Sequence, residues 1–128
     1  ATDEADLKLA TFSNAPAIRN TPFNLLTEII GTFALMFGAL AMSNPTTPFV
    51  TLDALPVALL VLAIGISLGG PTGYAINPAR DLGPRIMHFM LPIRKKGSSD
   101  WGYAWIPVVG PILGAIVGAW VFSLIFKN

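Results

Sequence analysis

Three long apolar stretches alternate with short polar ones along this chain. Residues 23–43 are almost entirely apolar, with Asn24, Thr27, Glu28 and Thr32 the polar positions inside them. Their length matches one bilayer crossing, which takes about 20 residues. Gly31 and Gly38 allow a close helix neighbour there. Residues 54–70 form a second apolar segment, short for a crossing. It ends at Gly69-Gly70-Pro71, a sequence expected to stop a membrane helix. Residues 104–126 form the third. Gly110, Gly114 and Gly118 recur in it at a four-residue spacing, the pattern of a close packing face between apolar helices. Trp101, Tyr103 and Trp105 cluster at its start, where an aromatic belt would meet the membrane interface. The polar segments read as connections. Residues 1–22 contain the helix breakers Pro16 and Pro22 and are expected to be irregular and outside the bilayer. Residues 44–53 carry Asn44-Pro45 and Thr47-Pro48, and residues 92–103 carry Arg94-Lys95-Lys96.

Residues 71–91 fit neither pattern. A loop of a few residues leads to Asn77-Pro78-Ala79-Arg80-Asp81. Asn is a favoured N-cap, and Pro suits the first helical position because its missing N–H would be unsatisfied there anyway. A helix from Pro78 to Leu91 is too short to cross a bilayer. Non-helical backbone at membrane depth persists only where protein or water covers it. The pattern therefore predicts a re-entrant half-helix that lines a cavity. Its N-terminus carries the positive end of the helix dipole, and Arg80 adds a permanent charge one turn on. That combination suits neutral hydrogen-bonding solutes and opposes cations. Asp81, in the first turn, complements the dipole and offsets Arg80 or Arg85.

Composition supports a membrane class. The chain is 53% hydrophobic and 12% charged, about half the usual charged share of a soluble domain. Its mean hydropathy is +0.64. A net charge of +1 gives no basic footprint for nucleic acid. Without cysteine there can be no disulfide, thiolate metal site or cysteine nucleophile. The opening Ala-Thr-Asp-Glu-Ala-Asp lacks the basic-then-apolar order of a secretory signal. His88 has no second ligand in view and reads as packing, and Arg94-Lys95-Lys96 reads as a solvated loop. The fold expected is all-α: three transmembrane helices plus one re-entrant half-helix.

Asn77-Pro78-Ala79 followed by Arg80, set between apolar spans, resembles the second signature of the aquaporin and glycerol-facilitator family. Asp81, Arg85 and Pro107-Val108 are similar to the glycerol-conducting branch. The resemblance runs from about Thr11 to Lys127 and implies the second repeat of a six-span, inverted-repeat channel. It implies a pore and filter at Tyr74, Asn77, Pro78, Ala79 and Arg80, with Glu28 and Asp81 as loop support. Tyr74 would take an aromatic filter position that is usually Phe in that branch. The resemblance also implies passive conduction of glycerol, other small polyols and water, without enzymatic chemistry, cofactor or metal. It further implies completion by a first-repeat half on the same or a separate chain, a tetramer of complete channels, and a place in the bacterial plasma membrane. One conflict arises: the basic loop at 94–96 would face outside by resemblance, against the usual cytoplasmic bias of Lys and Arg. The missing half would then set the orientation. Two other readings stay open, half of a secondary transporter, which also uses broken helices, and a non-conducting membrane subunit. Glu28 is the one membrane carboxylate able to serve a coupling ion in the first of these.

Overall fold

A computed structural model describes residues 4–43 and 54–126, so the connection at 44–53 and Lys127 lie outside the described residues. Among the described residues the chain is all helical: α1 (Glu4–Ala10), α2 (Thr21–Met42), α3 (Ala54–Thr72), α4 (Pro78–Met90) and α5 (Ile106–Phe126). Three of these, α2, α3 and α5, are long and apolar enough to cross a membrane. At 13 residues α4 falls short of a crossing.

Three boundaries differ from the sequence expectation. Residues 1–22 are not wholly irregular, because α1 forms within them. Glu4 and Asp6 in its first turn and Lys8 in its last complement the helix dipole, and Lys8 bonds Glu4 one turn back at 2.8 Å. Pro22 does not break a helix either. It lies in the first turn of α2, where proline is tolerated, and the Asn20 side chain caps the Phe23 N–H. Finally, α3 continues through Gly69-Gly70-Pro71 to Thr72. Pro71, in the last turn, lacks the N–H that would bond the Ser67 carbonyl, and the helix ends one residue on. The Pro71 carbonyl accepts the N–H of Ala17 at 3.0 Å, and Gly73, at φ +76°, closes the helix with an N–H bond to the Gly69 carbonyl at 2.8 Å.

The α2–α5 pair forms the spine of the bundle. The glycines of α5 let the two backbones meet: a Cβ at Gly114 would lie 2.4 Å from the Ile29 carbonyl oxygen, and one at Gly110 2.6 Å from the Cβ of Glu28. Away from the connection to α4, Phe37 meets Phe122 edge-on with centroids 5.9 Å apart. By contrast, α3 is largely uncovered, exposing Leu55, Leu59, Leu62 and Ile66. Apolar surface of that extent calls for lipid or further protein.

Candidate functional site

The segment between α3 and α4 is not helical, and its peptides are turned by unusual backbone angles. Gly73, Tyr74 and Ile76 all have positive φ, at 76°, 44° and 43°. The two non-glycine residues carry a strain of about 1–3 kcal/mol each, which persists only where surroundings hold the chain. Glu28, on α2, supplies part of that hold. One carboxylate oxygen accepts the Thr72 hydroxyl at 2.6 Å and the Ala75 N–H at 3.0 Å, and the other accepts the Ile76 N–H at 2.7 Å. Glu28, Thr72, Ala75 and Ile76 are all buried, so each of these groups would be orphaned at depth without its partner.

The Gly73 and Tyr74 carbonyls are held by a different partner. Arg80 Nη1 donates to the Gly73 carbonyl at 3.2 Å and to the Tyr74 carbonyl. Its guanidinium also lies over the Tyr74 ring, 4.4 Å from the centroid. The ring in turn rests on α3 where side chains are missing: a Cβ at Gly69 would be 2.8 Å from Tyr74 Cδ1, and one at Gly65 3.0 Å from its Cζ. Asn77 caps α4, its side-chain oxygen accepting the Ala79 N–H at 2.9 Å, and Pro78 is the first helical residue. Asn77, Ala79 and Arg80 are exposed on the open side of the chain. Beside the tip of α4 lies an open cavity of about 370 Å³ with almost wholly apolar walls, lined by Thr32, Met36, Ile76, Asn77, Pro111 and Ile112 among others.

Asp81 points the other way, into protein. It is fully buried and pairs with Arg85, not Arg80, through Nε–Oδ2 and Nη2–Oδ1 contacts of 2.8 Å each. Arg85 also donates to the carbonyls of Ser99 at 2.8 Å and of Asn14 at 2.8 Å. The half-helix is thereby tied to both polar connections. Nothing in the sequence singled out Asn14, Thr72 or Ser99, since each contact depends on chain segments brought together by the fold. His88 is buried packing, with Nδ1 2.8 Å from the Ser99 hydroxyl and its ring edge-on to Phe12. Lys96 is more than a solvated charge. Its ammonium donates to the carbonyls of His88, Phe89 and Leu91 and so caps the C-terminus of α4. Burial pushes the Tyr103 phenol above its usual range, so it stays neutral beside this network.

A bundle of membrane-crossing helices that carries a capped half-helix, with a strained loop fixed at its tip, defines a multi-pass helical membrane protein with a re-entrant element. The chain belongs to the family described as MIP, major intrinsic protein, which it matches over residues 4–122. It is 56% identical over 128 residues to the glycerol uptake facilitator protein of Bacillus subtilis (strain 168), covering 99% of this chain and 46% of that protein. It is 53% identical over 126 residues to the probable glycerol uptake facilitator protein of Thermotoga maritima, covering 98% of this chain and 53% of that one. The X-ray structure of the aquaglyceroporin from Plasmodium falciparum superposes with a TM-score of 0.75 at 28% identity, over 91% of this chain and 50% of that chain. The chain thus spans about half the length of the relatives it matches.

Proposed function

We propose that this chain forms one half of a passive channel for glycerol and other small neutral polyols, with water as a further solute. A first-repeat half, on the same or another polypeptide, completes the pore. The reading rests above all on the arrangement at the tip of α4. The Arg80 guanidinium, the Tyr74 carbonyl and the Tyr74 ring lie together beside an open face. A polyol needs that mixture: donors and acceptors for its hydroxyls and an apolar surface for its carbons. The positive helix end and Arg80 oppose cations. Relatives named as glycerol uptake facilitators support the solute class. In this reading Tyr74, Asn77, Pro78, Ala79 and Arg80 line the pore, and Glu28 and Asp81 hold its loop. Completed channels assemble as tetramers in the bacterial plasma membrane, as the family resemblance implies.

One observation favours the channel over a coupled transporter. Both oxygens of Glu28 are occupied by loop donors, which leaves no free membrane carboxylate for a coupling ion among the described residues. The test is stopped-flow permeability of the completed channel to glycerol and to a longer polyol, together with proton leak. Arg80→Val is expected to weaken discrimination between the polyols by about tenfold or more, the worth of a lost charged donor, and to admit protons. Tyr74→Ala is expected to admit the longer polyol. If both variants keep the original solute ratio and show no added leak, these residues do not form the filter.

A further inference from the structure

We propose that Asn14, in the polar segment before α2, is a positioning residue for polyol selection: its carboxamide fixes the Gly73 carbonyl and, through it, Arg80. This inference rests on the polyol-channel reading above. Two donors meet at the Gly73 carbonyl among the described residues, Asn14 Nδ2 and Arg80 Nη1. A carbonyl oxygen has two lone pairs, so this one is fully engaged. The contact is close as well as polar, because a Cβ at Gly73 would lie 2.6 Å from Asn14 Nδ2.

The base from which this side chain projects is itself fixed. Asn14 N–H donates to Asp81 Oδ1 at 2.8 Å, and Asn14 carbonyl accepts from Arg85 Nη2 at 2.8 Å. Asp81 and Arg85 are both fully buried. The Ala17 N–H bond to the Pro71 carbonyl at 3.0 Å ties down the same segment a few residues on. Glu28 therefore grips the N–H side of the strained loop from within the bundle, and Asn14 grips its carbonyl side from the polar segment. With Tyr74 and Ile76 at positive φ, the loop needs both grips to keep one conformation. Among the described residues Arg80 has no buried carboxylate of its own, since Asp81 is committed to Arg85. The loop carbonyls fix where its guanidinium lies, and Asn14 fixes one of those carbonyls.

The geometry separates two roles that mutation usually confounds. The anchoring bonds of residue 14 belong to its backbone and survive substitution, whereas the bond to Gly73 belongs to its carboxamide. Asn14→Ala removes the donor. Asn14→Asp keeps the shape, removes the donor and presents an acceptor to the Gly73 oxygen. The experiment joins this chain to the first half of the Bacillus subtilis relative and measures stopped-flow permeability to glycerol and to a five-carbon polyol. Folded yield and thermal midpoint are read in parallel. Both variants are expected to fold, and to lower the glycerol-to-pentitol permeability ratio by about fivefold, the factor carried by one net hydrogen bond. An unchanged ratio in both variants overturns the proposal, even if yield or total flux falls, because a structural role lowers all fluxes together. Failure of both to fold overturns it too, by making the carboxamide structural. If the unsubstituted channel passes no polyol, the channel reading fails and this inference with it.

Discussion

Glu28 accepts from three donors that have no other partner among the described residues, and its removal should be felt in folding before it is felt in flux. Glu28→Leu leaves two backbone N–H groups and the Thr72 hydroxyl unsatisfied, at about 1–3 kcal/mol each. Little folded protein is expected in detergent, judged by size-exclusion profile and thermal midpoint. Glu28→Gln keeps one acceptor oxygen but turns an NH2 toward a donor, so an intermediate yield is expected. Equal yields and midpoints for wild type and Glu28→Leu would show that the loop holds itself. At this scale the sequence was informative where a residue type is costly in a membrane. Glu28, read as loop support, accepts from the loop, and Arg80, read as facing solute, also donates to the loop carbonyls. The identity of those partners was less accessible. Asp81 had two candidate cations within four residues, Arg80 and Arg85, and only the fold shows it turned inward to Arg85. Asn14 lies 59 residues from Gly73, and no local pattern links the two.

At the scale of elements, the α2–α5 contact depends on missing side chains. The Gly110, Gly114 and Gly118 spacing was readable as a packing face, and these glycines meet Glu28, Ile29, Phe33 and their neighbours on α2. Gly114 is the tightest point, with the Ile29 carbonyl oxygen 2.4 Å from where a Cβ would be. Backbone cannot yield as a side-chain end can, so Gly114→Ala is expected to cost about 1–3 kcal/mol by overpacking. Thermal unfolding in detergent checks this, and an unchanged midpoint would mean that the helices are less closely paired than described. Element ends were harder to read than element centres. Gly69-Gly70-Pro71 looked like a stop, yet α3 runs on to Thr72: Pro71 forgoes one helical N–H bond, while its carbonyl accepts from Ala17 and the Gly73 N–H bonds the Gly69 carbonyl. The short α1 was missed for another reason. Seven residues give almost no periodicity to read, and its support comes from Lys8 reaching the Arg94 carbonyl, 86 residues away.

For the whole molecule, the distribution of burial matters most. The loop supports are enclosed, with Glu28, Thr72, Asp81 and Arg85 buried, whereas Asn77 and Arg80 look onto an open face and α3 is largely bare. A pore needs walls all round, and in the proposed channel this chain would provide one side of it together with a fixed polar tip. A chain spanning about half of its relatives accords with that geometry. In the proposed function this half becomes a polyol channel when a first-repeat half closes the open face. The most direct measurement is glycerol-driven swelling of liposomes holding this chain alone, this chain with a first-repeat half, or no protein. Swelling well above the protein-free rate is expected only from the vesicles holding both halves. Rapid swelling from the chain alone, or none above the protein-free rate with both halves correctly folded, would overturn the two-half channel.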